Sequence, residues 1–215
     1  MRTPVGVLLA AGLGTRYDPT GESLKLLQPA AGESHADVAI VAAAARNLRS
    51  SVKRMLAVVR PRHHPHQAIL HDLLQNEGCE LVVCERAAEA MGTSPACGIA
   101  ASGDADAWIA ALGDMPAIDP DTIDAIADAL RAGHRTAAPM YREQRGHPVG
   151  FSAACLSALI NSSGDLGARS VLEEFPPHLI AVDDAGVLLD IDHRSHKAIA
   201  YIQIMTTTHS HRLHA

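Results

Sequence analysis

The sequence predicts a three-layer α/β domain whose largely parallel sheet is covered by helices on both faces, and three observations lead there. Apolar runs alternate with helical stripes along nearly the whole chain. The strand-like runs are continuously apolar rather than alternating. No repeat, low-complexity linker or composition break divides the 215 residues. Continuous apolar strands belong to sheets buried on both faces, and a strand–helix succession is what parallel crossovers require. A chain of this length can bury most of its apolar surface as one domain. Residues 1–205 are therefore expected to form one unit, with 206–215 as a flexible, histidine-bearing tail.

Taken in order, Val5 to Ala10 reads as a buried strand. A helix follows over Asp37 to Arg49, with Val38, Val41, Ala42, Ala45 and Leu48 on one face, and then a strand over Met55 to Val59. Ile69, Leu70, Leu73 and Leu74 mark a helix that Asn76-Glu77-Gly78 ends, before a strand over Leu81 to Cys84. Trp108 to Leu112 is the next strand. Asp119-Pro120 then gives an N-cap with proline at the first helical position, and Ile123, Ile126, Ala127 and Leu130 supply the inner stripe. Strands are expected at Thr136 to Pro139, His147 to Phe151 and Leu179 to Val182, with helices near Ala153 to Ile160 and Leu166 to Glu174.

Composition narrows the function. A net charge of −6 without a basic block argues against a nucleic-acid partner, and six aromatic residues are few for stacking bases. No run reaches the roughly 20 apolar residues that a membrane span needs. Nothing reads as a cleavable leader, so a cytoplasmic location without a membrane partner is expected. Cys79, Cys84, Cys97 and Cys155 form no Cys-x-x-Cys pair, so four reduced, mostly buried thiols are expected.

Chemistry concentrates in two motifs. The turn Leu9-Ala10-Ala11-Gly12-Leu13-Gly14-Thr15-Arg16 follows the first strand, at the edge where open parallel sheets bind ligands. Tyr17 stands where a dinucleotide fingerprint needs a third small residue, and no Gly-Lys-Ser/Thr makes a Walker loop. What remains is a glycine turn carrying Arg16 and Lys25, a pair suited to polyphosphate or simply two solvated loop charges. In the second motif, Gly113-Asp114-Met115-Pro116 puts a carboxylate at a strand's carboxyl end. In Asp190-Ile191-Asp192, alternation places both carboxylates on one face, and one of them can converge with Asp114. Two carboxylates with phosphate oxygens and water suit Mg²⁺.

The glycine turn, Lys25 and Gly113-Asp114-Met115-Pro116 together resemble the MobA-like NTP transferase family, most of all its molybdenum cofactor cytidylyltransferase branch. Further matches are Ala90-Met91-Gly92-Thr93-Ser94 with Gly98, Arg145-Gly146-His147-Pro148-Val149, Gly164-Asp165-Leu166-Gly167-Ala168-Arg169 and Asp190-Ile191-Asp192. The resemblance implies a Rossmann-like nucleotidyltransferase fold with a mostly parallel mixed sheet. It also implies transfer of CMP from CTP to the phosphate of molybdenum-bound molybdopterin, with release of pyrophosphate. Carried over, Arg16, Lys25 and Asp114 would be catalytic, and Asp114 with Asp192 would hold Mg²⁺. Leu9, Ala10, Ala11, Gly12, Gly14, Ser94 and Gly113 would bind the nucleotide, and Gly146, His147 and Pro148 the pterin. Ala10-Ala11 favours CTP, since members with Leu-Ala-Gly-Gly use GTP. A molybdenum hydroxylase or its maturation factor would be the protein partner.

Other readings stay open. The acceptor could be a sugar or alditol phosphate, the nucleotide could be GTP, or the chain could carry finished cofactor without catalysing. The interval from Arg16 to Lys25 is longer than the family's common Arg-x-Gly-x-x-Lys, and Asp18 and Glu22 place negative charge in it. Lys53, Arg142 or Arg145 could then stand in for Lys25. Pro95 replaces the family's Leu, and Ser94-Pro95 also reads simply as a helix N-cap and first residue. His147 has an equally plain reading as a packed strand histidine. His63-His64-Pro65-His66 with His71 lacks the pitch of a helical metal site and is expected to be a surface loop.

Overall fold

The structure, a computed structural model, describes residues 3–30, 38–87, 92–161 and 167–192. The expected helix start at Asp37, the Ala90-Met91 and Gly164-Asp165-Leu166 segments and the tail 206–215 lie outside the described residues. The chain folds as β1 (Val5–Leu9), α1 (Ile40–Arg49), β2 (Arg54–Val59), α2 (Gln67–Asn76), β3 (Glu80–Val83), α3 (Thr93–Ala100), β4 (Ala107–Leu112) and α4 (Pro120–Arg131). It continues through β5 (Thr136–Tyr141), β6 (Gln144–Arg145), β7 (Val149–Ser152), α5 (Leu156–Asn161), α6 (Gly167–Glu174) and β8 (His178–Ala181).

The sheet order is β3-β2-β1-β4-β7-β5-β6, with β8 also on β5. The first four strands are mutually parallel, as their continuous apolar runs predict. β7 runs antiparallel to both β4 and β5, so the sheet is mixed beyond β4. Strand direction there follows from the chain's return through the β6 edge, which apolar patterning alone does not encode.

Two apolar layers sandwich the sheet. One gathers Leu8, Ile40, Leu48, Leu70, Leu74, Ile109, Ile123 and Ile126; the other gathers Val7, Leu56, Val58, Ile99, Trp108 and Phe151. Alternate residues of β1 serve opposite layers, as a pleated strand buried on both faces must. Trp108 is fully buried, and its indole N–H donates to the Ser102 hydroxyl at 3.0 Å, so its burial leaves no polar atom unpaired. The expected cap of α4 forms: the Asp119 carboxylate accepts from the Asp121 N–H at 2.9 Å, a contribution of about 1 kcal/mol. Among the described residues, no helix is long and apolar enough to cross a membrane.

Two local expectations are corrected. Cys84 and Cys97 form a disulfide, tying the residue after β3 to α3, while Cys79 and Cys155 are buried free thiols. The partners meet because α3 folds back over the parallel strands, a proximity that sequence spacing does not reveal. Gly92, not Ser94, is the N-cap of α3, so Ser94 and Pro95 lie inside its first turn.

Candidate active site

The glycine turn leaves β1 at the carboxyl edge of the parallel strands. The Ala10 N–H still donates to the Val58 carbonyl at 2.9 Å, and the Gly113 N–H donates to the Leu9 carbonyl at 3.0 Å. Neighbouring strands therefore pin the turn on both sides. Gly113 permits that approach: a Cβ there would come within 2.9 Å of the Leu9 oxygen. Gly14 has φ +67°, a left-handed conformation that glycine adopts without strain, and a Cβ there would sit 3.0 Å from the Lys25 Cβ. Close packing of Gly14 on Lys25 thus links the turn to the first basic group. Leu9, Ala10, Ala11 and Gly12 follow one another through this edge; Ala10 and Ala11 are buried and Gly12 is exposed.

Asp18, in the interval between Arg16 and Lys25, does not carry its charge toward the turn. The buried Asp18 carboxylate folds inward instead, accepting from the Thr20 N–H and hydroxyl at 3.0 and 2.6 Å and from the Ser23 N–H and hydroxyl at 2.9 and 2.7 Å. The Thr20 and Ser23 hydroxyls hold its carboxyl well below the usual range against the opposing effect of burial. This internal brace accommodates the extra residues and leaves Lys25 in the short 3-10 turn Lys25–Leu27, 7% exposed.

From there the Lys25 ammonium donates to Asp114 Oδ2 at 2.6 Å and to Asp192 Oδ1 at 3.3 Å. Asp192 also receives the Arg16 guanidinium on its other oxygen. Burial opposes ionisation of Asp192, but the Lys25 and Arg16 charges outweigh it and hold the carboxyl below its usual range. The irregular segment carrying Asp192, which follows the 3-10 turn Ala185–Leu188 and is not the strand its alternation suggests, is docked by the main chain, since the Ile191 N–H donates to the Asp114 carbonyl at 3.0 Å. Ile191 is fully buried between two half-buried aspartates, as the expected alternation requires. Asp184 anchors the preceding residues: its carboxylate accepts from the Asp119 N–H, the Thr122 hydroxyl and the Gly186 N–H, each at 2.9 Å.

The Gly-His-Pro segment borders this cluster. A cis peptide joins His147 to Pro148, and the His147 N–H donates to the Val187 carbonyl at 2.9 Å. Burial and the Arg145 charge push the imidazole's pKa down against the pull of Asp114 and Asp190, so the ring is neutral near pH 7. Its Nδ1 is buried without a hydrogen-bond partner among the described residues. Ser94 is half-buried in the first turn of α3.

The substitutes considered for Lys25 stand elsewhere. Lys53 is exposed just before β2, and its N–H donates to the Pro4 carbonyl at the amino edge of the sheet. Arg142 lies over the Tyr141 ring and Arg145 is exposed on β6. The histidine cluster is dispersed: His63 stacks on His64, His66 precedes α2, and His71 is buried with its Nε2–H donating to the Arg60 carbonyl at 2.8 Å. The described residues contain no group of three or more His, Cys, Asp and Glu side chains arranged for a metal.

Sequence reasoning missed Arg60. It is 7% exposed directly after β2, and its Nε–H donates to the Ala11 carbonyl at 2.7 Å. Burial lowers its pKa from the usual value. The available signal was a lone cation ending the apolar run Met55-Leu56-Ala57-Val58-Val59.

A glycine turn, two converging carboxylates and basic groups at the carboxyl ends of parallel strands define an α/β protein of the nucleotidyltransferase class. The chain belongs to the MobA-like NTP transferase domain family, whose model matches residues 6–180. Comparison with curated proteins finds no match. Among solved structures, Rv0371c from Mycobacterium tuberculosis is similar at 25% identity and TM-score 0.72, over 90% of this chain and 95% of that one. The same protein solved in complex with manganese aligns at 23% identity and TM-score 0.72, over 95% and 99% of the two chains. A nucleotidyl transferase from Methanothermobacter thermautotroptrophicus shares the fold at 19% identity and TM-score 0.75, over 96% and 100%.

Proposed function

We propose that this chain transfers CMP from CTP to the phosphate of molybdenum-bound molybdopterin. The observation that carries the reading is the Lys25 ammonium between Asp114 and Asp192 beside the glycine turn. A phosphate oxygen of the acceptor attacks the α-phosphorus of CTP, forming the new P–O bond as the bond to the β-phosphate oxygen breaks and pyrophosphate leaves. Such transfer asks little covalent work of protein groups, so alignment and charge compensation dominate. Lys25 and Arg16 neutralise the triphosphate. The backbone of Leu9 to Gly14, with Gly113 and Ser94, holds the nucleotide.

Asp114 and Asp192 fit a divalent cation: both are hard oxygen donors, partly open to solvent, and already share one cationic neighbour. A bound Mg²⁺ supplies charge compensation on the phosphate oxygens, and the manganese complex of the mycobacterial protein supports a divalent ion at such a domain. Gly146, His147 and Pro148 would shape the acceptor side, where the buried His147 Nδ1 has no hydrogen-bond partner among the described residues. Ala10-Ala11 at the turn supports CTP over GTP.

The test is pyrophosphate release from CTP and Mg²⁺ with different acceptors. Release with the molybdenum-bound pterin but not with sugar or alditol phosphates is expected. Equal release with a sugar phosphate, or none with the pterin, contradicts the acceptor assignment.

A further inference from the structure

β3 ends at the edge where the site begins. Val83 pairs with Val59, and the Cys84 N–H donates to the Val59 carbonyl at 2.9 Å, so Cys84 leaves the sheet at the carboxyl edge that carries the glycine turn. α3 connects β3 to β4, strands of one parallel set, so it starts at that edge and runs back across the sheet. The helix lies directly on the strands: a Cβ on Gly98 would come within 2.5 Å of Val7 Cγ1 on β1 and 2.8 Å of Val58 Cγ2 on β2. Ser94 and Cys97, three residues apart, share one face of α3. The Cys84–Cys97 bridge, whose Cα atoms are 6.1 Å apart, therefore fastens the start of α3 to the edge beside the glycine turn.

Holding the domain together does not require this bond. Two apolar layers already cover the sheet, and a bridge spanning 13 residues removes less freedom from the unfolded chain than one joining distant segments. Its reach is local. The two sulfurs also differ in access: Cys84 is fully buried and Cys97 is half-buried, so an incoming thiolate meets Cys97. The reduced state is provided for as well, because the Thr93 carbonyl stands 3.9 Å from Cys84 Sγ and accepts from its thiol. Cys79 and Cys155 do not compete in exchange, since both are buried and burial raises both thiol pKa values.

We propose that the Cys84–Cys97 bridge is a reversible modification site at which a dithiol reductant sets nucleotide affinity, tight when the bridge is closed and weaker when it is open. This rests on the placement of Ser94 in the proposed nucleotide site. A thiolate of the dithiol attacks Cys97 Sγ; the bond to Cys84 breaks, and its electron pair leaves on Cys84 Sγ, which takes a proton from water. The second thiolate then attacks the reductant's sulfur in the mixed disulfide and expels Cys97, which is protonated in turn. Two electrons and two protons thus pass to the protein, and the dithiol departs as a disulfide. With the tether cut, the first turn of α3 must be ordered at the moment of binding, which costs affinity.

Calorimetric binding of CTP, GTP, ATP and UTP with Mg²⁺ to the whole folded chain, in oxidised and then in reduced dithiothreitol, tests this. Alkylation after acid quenching and denaturation is expected to count two thiols in the first buffer and four in the second. Reduction is expected to weaken the best-bound nucleotide roughly two- to tenfold, the penalty for ordering one such group on binding, and reoxidation to restore it. The Cys84→Ser/Cys97→Ser chain is expected to bind like the reduced chain in both buffers. Should that variant fail to fold, the native chain in its two states still decides the matter. A bridge that dithiothreitol leaves intact in the folded chain, or equal affinity in both states, overturns this inference and leaves the nucleotide reading standing. A chain that binds no nucleotide in either state overturns the nucleotide reading, and this inference with it.

Discussion

The Lys25 ammonium lies 2.6 Å from Asp114 Oδ2 although 89 residues separate the two in sequence. The pair joins the loop after β1 to the turn after β4, and Asp192 completes it from the far end of the described chain. Removing Asp114 takes away one member of a preorganised charge cluster. Loss of one such stabiliser costs other enzymes about 3 kcal/mol, roughly 10²-fold in rate. Asp114→Ala is therefore expected to keep its melting temperature within a few degrees and lose at least that factor in kcat. A variant that keeps more than about a third of the rate contradicts the assignment, since it would have lost almost none of that stabilisation.

The turn itself is expected to influence nucleotide choice. Ala11 is buried and its carbonyl is engaged by Arg60; in the proposed cytidylyl site this turn would help fix where the base lies. Ala11→Gly frees the backbone there. Its CTP:GTP ratio of kcat/KM is expected to fall; an unchanged ratio counts against the turn as a base reader.

Asp18 gives a pH-dependent prediction. Its folded pKa is depressed by the Thr20 and Ser23 hydroxyls, so the stability it contributes is present above the unfolded value near 3.9 and is lost as pH falls through the folded one. The Thr20 and Ser23 amide resonances are expected to stay at their neutral-pH positions down to about pH 4, the ordinary carboxylate range. In Asp18→Asn they shift at every pH, and KM for the nucleotide rises several-fold as the loop carrying Arg16 loosens. Unmoved amides in that variant contradict the brace.

The cysteines offer a chemical count. Denatured without reductant, the chain is expected to show two reactive thiols, and with reductant four. In the folded state, burial, aided by the Glu77 charge, pushes the Cys79 thiol up to about 12, so iodoacetamide should leave Cys79 unmodified at pH 8. Four thiols without reductant contradict the Cys84–Cys97 bridge.

The fold's core was legible because its strands are continuous apolar runs and its best helix announces itself through Asp119-Pro120. The pair Asp114 and Asp192 was legible because each aspartate closes an apolar strand-like segment, and Ile191, between Asp190 and Asp192, is buried as alternation requires. The internal bonding of Asp18 was not, because a carboxylate in a lengthened loop reads as charge facing outward until its donors are located. Arg60 and the Cys84–Cys97 bridge stayed hidden for a common reason. Each depends on which strands become neighbours, β2 beside β1 in one case and α3 over the end of β3 in the other, and sequence spacing carries no such information.

The most direct test of nucleotide transfer is a panel of CTP, GTP, ATP and UTP, each with Mg²⁺ and the molybdenum-bound pterin, with pyrophosphate and the nucleotidylated pterin both quantified. CTP is expected to yield the two products in equal amounts and to exceed the other nucleotides in kcat/KM. Binding without pyrophosphate from any nucleotide, or a panel led by GTP, would contradict the cytidylyl assignment.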